Sequence, residues 1–448
     1  MIRKITLSAF MLALPACASL APQTDASTHG MALPGAYDNA AELTGARSVE
    51  MDWWAAFGSE NLNALVAEAL TANQTLAAGI ENVAAARAAL KVSNASLLPQ
   101  ASASLSASSD TERGLEDVSS SGRLSASYEV DLFGANAASR AASQANLDAT
   151  IYSQRALELT VQSDVASTYF NLLATREQLE VARRNLEISE RIFEIVEVRY
   201  KAGAISGFDV SSQRAQLANA RARIPQLKAQ IVSLETSLAI LLGQKPQGYV
   251  APDEPILDLD LPLADPSLPS DLLLRRPDLL QEEASLRGAD ANVTVARAAF
   301  LPGIDVGAAL SSILSGGADL TGSISASLAQ TIFSGGRLEG QLESAQARQK
   351  AQLASYRGAI LSALRDVDVS LNSIEANAQR EAQLLVARDA SQDALEAAEL
   401  RYRAGTDDLT SLLTAQQSYF TASDTYVQGH LIRLTSALNL YVALGGGY

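Results

Sequence analysis

Cysteine is almost missing from this sequence of 448 residues: there is one, Cys17, and there are only two histidines, His29 and His430. A disulfide framework within one chain is excluded, and so is a zinc site built from Cys and His. Aromatics make up 5% while apolar residues make up 48%, so the apolar content is mostly Ala, Leu and Val. That mix suits long helices better than a dense aromatic core. Basic side chains are short as well, 34 against 50 acidic, and a formal net charge of −16 repels phosphate. No nucleic acid partner is expected. No uninterrupted apolar run reaches the roughly eighteen residues of a transmembrane helix, so any membrane-spanning element must be a strand.

What is present begins at the N-terminus. Arg3 and Lys4 precede an apolar run from Ile5 to Leu14, followed by Pro15, Ala16 and Cys17. The run is too short to span a bilayer but fits a secretory signal. The stretch Leu14-Pro15-Ala16-Cys17 resembles a bacterial lipoprotein signal. On that resemblance residues 1–16 are removed, Cys17 becomes the lipid-attachment residue, and Ala18 in place of Asp directs the product to the outer membrane.

The rest of the chain is duplicated. Arg199-Tyr200-Lys201-Ala202-Gly203 recurs as Arg401-Tyr402-Arg403-Ala404-Gly405, and Leu242-Gly243 recurs as Leu444-Gly445, both at an offset of 202. Leu98-Pro99 and Leu132-Phe133 return as Leu301-Pro302 and Ile332-Phe333 in the same order, at nearly the same spacing. A unit of about two hundred residues therefore occurs twice, far longer than a solenoid repeat.

Within the first unit, Ala135 to Ala202 contains neither Gly nor Pro. A continuous helix over it would reach ~100 Å, more than three times the hydrocarbon thickness of a bilayer. Val165, Leu172, Leu179, Leu186, Phe193 and Tyr200 recur every seventh residue beside a small row, Thr168, Thr175, Ala182 and Ser189. This pattern predicts close antiparallel coiled-coil packing. A turn over Gly203–Gly207 leads to a second helix in which Pro225 is expected to interrupt and kink the rod. The second unit keeps the large row at Val367, Ile374, Leu395 and Tyr402 but places Glu381 and Arg388 in its middle, and both require a wet or paired environment.

Before each long helix the period changes to two. Ala101, Ala103, Leu105 and Ala107 alternate with serines, and Leu124, Ala126, Tyr128 and Val130 alternate with Ser125, Ser127 and Glu129. Ile304, Val306, Ala308 and Leu310, then Leu320, Ile324, Ala326 and Leu328, repeat the pattern in the second unit. Each run has the length of a tilted membrane strand, apolar on one face and wet on the other. Tyr128, Phe133, Phe300 and Phe333 suit an aromatic girdle. Four strands cannot close a barrel, and unpaired edges do not survive in lipid. Several chains must share one barrel, and three give twelve strands with room for a passage.

The expected organisation is a signal over 1–16, a lipidated N-terminus and equatorial segment over 17–58, and repeat one over 59–242. A linker follows over 243–275, then repeat two over 276–445. Strands are expected at about 100–109 and 122–132, and at about 303–312 and 320–331. The long helical hairpins occupy 136–242 and 337–444.

These motifs carry a family likeness. Trp53-Trp54 with Phe57 and Leu62, the first Arg-Tyr-x-Ala-Gly at 199–203, Leu242-Gly243 with Pro246, Leu274-Arg275-Arg276-Pro277-Asp278, the stretch Ala296 to Pro302 and the second Arg-Tyr-x-Ala-Gly at 401–405 follow one another in that order along the chain. The mature sequence resembles the outer-membrane factor (TolC-like) family, specifically its efflux-type lipoprotein branch. The resemblance implies an α+β membrane protein of a Gram-negative bacterium: a homotrimer with a twelve-stranded barrel in the outer membrane, four strands per chain, continuing into a long helical coiled-coil barrel in the periplasm. It also implies an equatorial girdle, here Met31–Phe57, Gly243–Ser270 and the C-terminal end. The implied partners are a periplasmic membrane-fusion adaptor, an inner-membrane pump and outer-membrane lipid, with no cofactor and no chemistry of the channel's own. The helical-hairpin tips at Tyr200, Gly203, Tyr402 and Gly405 would meet the adaptor. The resemblance places the periplasmic aperture just after the second turn, at Thr410, Ser411 and Thr414, where the family's narrowing carboxylate is absent. Asp407 and Asp408, nearer the tip, either supply that charge and make the closed pore cation-preferring or serve only to cap the returning helix.

Three other readings compete. An enzyme is disfavoured because neither histidine has a cysteine or a second histidine nearby in sequence. A coiled-coil structural lipoprotein explains Cys17 and the heptads but not four alternating strands at equivalent places in two repeats. The exit duct of a type I protein secretion system would have the same architecture with a different cargo.

Overall fold

The computed structural model describes residues 31–37, 49–109, 118–266, 268–314 and 320–447. The expected signal segment 1–16, Cys17 and His29 lie outside the described residues, as does 38–48 of the proposed equatorial segment. The elements run α1 (Glu60–Ala72), α2 (Gln74–Ala95), β1 (Gln100–Ser109), β2 (Val118–Val130), α3 (Ala135–Lys201) and α4 (Gly207–Leu241). A short α5 (Leu272–Arg275) and α6 (Pro277–Ala298) open the second half, followed by β3 (Gly303–Ile313), β4 (Leu320–Ala329), α7 (Arg337–Ala404) and α8 (Leu409–Ala443). None of these helices is long and apolar enough to cross a membrane.

Two compact units are formed. The first is built around Ala86–Leu147 and Ala284–Ala354, and the second around Leu33–Ala85, Asp148–Glu283 and Ser355–Tyr448. The first holds one antiparallel sheet in the order β1-β2-β3-β4. Its register keeps the two kinds of side chain apart. Leu124 is opposite Leu310, Ala126 opposite Ala308 and Tyr128 opposite Val306, while Ser125, Ser127 and Glu129 fall on the other face. On that wet face Ser102 bonds Ser125 at 2.9 Å, Ser106 bonds Ser121 at 2.8 Å and Ser108 bonds Ser119 at 2.9 Å. The apolar face is uncovered in the single chain, with Leu105 77% and Ile324 88% exposed. The outer edges of β1 and β4 have no strand partner among the described residues.

The second unit carries the long hairpins and an aromatic core assembled from distant parts of the chain. Trp53 stacks on Tyr441 with ring centroids 5.7 Å apart, Phe57 packs on Phe170 at 5.1 Å, and Trp53 Nε1 donates to Gln162 Oε1. Arg176, on α3, donates to Glu235 on α4 and to the Ala251 and Pro252 carbonyls, and pairs with Asp253 at 3.1 Å. Glu254 accepts from Tyr169 at 2.7 Å and from Ser59. Burial, then the Glu254 carboxylate, pushes the Tyr169 hydroxyl up. The stretch 251–254 is thereby bound to the middle of α3.

The heptad row on α3 does not stay in the core. Val165, Leu172 and Leu179 are buried, but Leu186 and Phe193 are half-buried and Tyr200 is 50% exposed. A straight helix drifts about 20° per heptad from a seven-residue repeat, so after five heptads the row has turned by about 100°. Ile192 and Val196, both fully buried, replace it near the tip. Pro225 does not interrupt the rod: α4 runs through it as one helix. Its position is exposed, so the carbonyl it leaves without an amide partner faces water.

The repeated glycines have a common cause. Gly203 and Gly405 have φ of 73° and 76°, the left-handed values that end α3 and α7. Gly243, at φ 66°, also lies so close to α1 that a Cβ would come within 2.2 Å of the Ala72 carbonyl oxygen.

Candidate functional site at the helical-hairpin tips

Each hairpin reverses over a few residues and is held by a cap. In the first, Ser206 and Asp209 form a capping box: Asp209 accepts from the Ser206 amide at 2.9 Å while Ser206 Oγ accepts from the Asp209 amide. In the second, Asp408 accepts from the Ser411 amide at 2.8 Å, and Asp407 accepts from the Asp408 amide at 2.9 Å. The Ser411 amide and side chain hold the Asp408 carboxyl below its usual range. Asp407 also sits 4.0 Å from Arg401. Both aspartates are engaged with their own turn, and Thr410, Ser411 and Thr414 are exposed on the first turns of α8, with the Thr414 hydroxyl donating to the Thr410 carbonyl.

The two tips touch. Ile192, Val196 and Val210 of the first hairpin pack with Leu395, Ala398, Tyr402, Leu409 and Leu412 of the second. Arg199 lies over the Tyr402 ring, 4.6 Å from its centroid, and donates to the Tyr402 carbonyl at 3.0 Å. Arg191 pairs with Glu399 at 3.0 Å. Of the four predicted tip residues, Tyr200, Gly203 and Gly405 are exposed, whereas Tyr402 is 1% exposed and belongs to the core. Sequence reasoning missed Arg199, although it opens the first copy of the repeated motif.

Higher along α7 and α8 lies a second feature that the heptads announced only as an interruption. Glu381 is buried on the core-facing row, its Oε1 2.5 Å from His430 Nδ1 and its Oε2 accepting from Arg433. His430 Nε2 lies 3.0 Å from the Ile256 carbonyl oxygen. Burial pushes the Glu381 carboxyl up, but hydrogen bonds and charge from Arg433 and His430 outweigh it and hold the group below its ordinary value. Arg388 pairs with Asp389 and lies over the Tyr426 ring at 4.7 Å. Glu381 and Arg388 thus have paired environments, and His430 is a buried residue between the Glu381 carboxylate and the Ile256 carbonyl. No cluster of ligating side chains that could hold a metal is present among the described residues.

The chain has relatives along its whole length. The outer membrane efflux protein family model matches it twice, over residues 65–244 and 268–446, in keeping with the duplication. The pyoverdine export outer membrane protein OpmQ of Pseudomonas aeruginosa is 35% identical over all of this chain and 97% of its own length. The toluene efflux pump outer membrane protein TtgF of Pseudomonas putida is 32% identical over 90% of this chain and 86% of its own. Among solved structures, CusC superposes with a TM-score of 0.83 at 26% identity, covering 96% of this chain and all of that one. The open state of the Neisseria gonorrhoeae MtrE outer membrane channel superposes with a TM-score of 0.82 at 27% identity, covering 93% of this chain and 96% of that one. With its four-stranded sheet, its paired long hairpins and a family model matching both halves, this chain belongs to the outer membrane efflux protein family and has the TolC-like channel fold.

Proposed function

We propose that this outer-membrane efflux channel works as a homotrimer, docked to a periplasmic membrane-fusion adaptor and an inner-membrane pump and anchored by lipid on Cys17. The observation that carries the reading is the sheet. Its in-register apolar face is exposed to whatever surrounds the chain, and its outer edges end at β1 and β4. In lipid, unpaired edges cost several kcal/mol per backbone group, so the edges require partners of the same kind. Three copies join β1 of one chain to β4 of the next and leave a water-filled centre lined by serine. The channel conducts passively, and the pump supplies the energy.

At the tips, exposed Tyr200, Gly203 and Gly405 form the adaptor-facing surface, with Tyr402 supporting them from below. Asp407 and Asp408, repeated three times around the axis, bias the closed aperture toward cations, with Thr410, Ser411 and Thr414 lining the next turns. The cargo belongs to small-molecule efflux. That relatives are named for pyoverdine in one case and toluene in another supports a duct whose selectivity lies largely with the pump.

The test uses full-length protein purified in detergent. A mass of three chains, with voltage-clamped conductance after reconstitution into planar bilayers, is the expected result. A monodisperse single chain without conductance overturns the reading. For the aperture, the double variant Asp407→Asn/Asp408→Asn is expected to lower the cation preference of the closed state. Unchanged ion selectivity would remove the aspartates from the gate.

A further inference from the structure

The described strands carry only three charged side chains, Arg123, Glu129 and Asp305, and the register puts all three on the serine face. Ser121 and Ser125, on either side of Arg123 along β2, bond across to Ser106 and Ser102, which fixes the side on which Arg123 projects. Arg123 is opposite Ser104 on β1 and Ser311 on β3, so its strand neighbours bring hydroxyls and no carboxylate. Glu129 and Asp305 are cross-strand partners at the end of the sheet that leads into α3. Six residues of strand separate the Arg123 level from the Glu129 level, which is ~20 Å of path along β2. Exposed charges this far apart are screened from each other, because the Debye length is ~8–10 Å at physiological salt. The two levels therefore act as separate electrostatic stations and do not neutralise each other.

We propose that Arg123 is the residue that sets anion passage through the strand-lined part of the channel, as the single positive level among the described strands. This rests on the trimeric barrel reading, in which each level is repeated three times around the axis. The chain carries a net charge of −16, which disfavours anions overall, and among the described strands small anions or the carboxylate and phosphate groups of cargo meet a favourable station at the Arg123 level. Arginine suits this position because it stays charged at every working pH and presents planar donors to such groups. Glu129 and Asp305, paired like with like across the strands, form the opposing negative, cation-attracting station on the helix side. Directly opposed like charges do not stabilise a sheet, so the fold is not expected to depend on them.

The experiment measures the potassium-to-chloride permeability ratio of the reconstituted full-length channel from reversal potentials in a KCl gradient. Arg123→Ser, which restores the serine face, is expected to raise the ratio by roughly two- to fivefold, while Arg123→Lys leaves it near the wild-type value. Glu129→Gln with Asp305→Asn is expected to lower the ratio by a similar factor. A conducting wild-type channel whose ratio is unmoved by Arg123→Ser overturns the proposal while leaving the barrel intact. A wild-type protein that forms no channel overturns the barrel reading and this proposal together.

Discussion

The two long hairpins share their landmarks and differ in what they bury. The first, α3 with α4, fills its middle with aromatic and aliphatic side chains and keeps its cation, Arg176, half-buried beside them where it grips 251–253. The second, α7 with α8, sets a carboxylate into the row that faces the core and satisfies it with His430 and Arg433. Both arrangements hold a piece of the 251–258 stretch, one through backbone carbonyls accepting from Arg176, the other through the Ile256 carbonyl facing His430. The difference teaches that a duplicated frame constrains turns and lengths far more tightly than it constrains the chemistry inside.

The comparison can be broken most forcefully at its buried charges. Glu381→Ala strands His430 and Arg433 together and is expected to destabilise the second hairpin by about 3–5 kcal/mol. Arg176→Ala is expected to cost somewhat less, about 2–3 kcal/mol, because the carboxylates it leaves behind reach water more readily. Heat-induced loss of helix signal in detergent compares the two. An Arg176 variant less stable than the Glu381 variant would reverse the ranking of the hairpins.

A smaller effect comes from pH. The Glu381 carboxyl is held below its ordinary value in the folded chain, so its contribution is complete above the usual carboxylate range and is lost as pH falls through the depressed value. Acidification is expected to loosen the second hairpin around 256 and 430 before the middle of the first. Glu381→Gln should flatten that dependence. Amide hydrogen exchange at residues 254–260 across an acid series reads it, and equal sensitivity in wild type and variant would discard the mechanism.

The smallest effect lies at the caps. Ser206→Ala breaks a reciprocal box and is expected to cost about 1 kcal/mol at the start of α4. Asp408→Ala removes a one-sided cap and should speed amide exchange in the first turn of α8, more at neutral pH than in acid, since the cap acts through the charged form. Matching exchange rates in the two first turns after both substitutions would show that packing against the neighbouring hairpin, not capping, holds them.

The alternating strands and the duplication were legible because both signals are local: a period of two within ten residues, and a five-residue motif recurring at one offset. The long rods were legible from the lack of Gly and Pro between Ala135 and Ala202. What escaped depends on groups brought together by the fold. The partner of His430 is 49 residues away and the carbonyl it faces 174 away, with no pattern connecting them. Tyr200 and Tyr402 occupy the same place in the same motif, yet one is exposed and the other buried, because Arg199 and the first hairpin cover only the second. Pro225 reads as a breaker in any helix, and only its exposed side makes it tolerable here.

The hydroxyl pairs between β1 and β2 have a consequence of their own. A serine whose oxygen is already engaged with its neighbour has less to offer a passing solute, so the surface wets without gripping. In the proposed barrel such a wall is expected to keep residence times short between the charged levels, so that molecules of very different chemistry can slip along it.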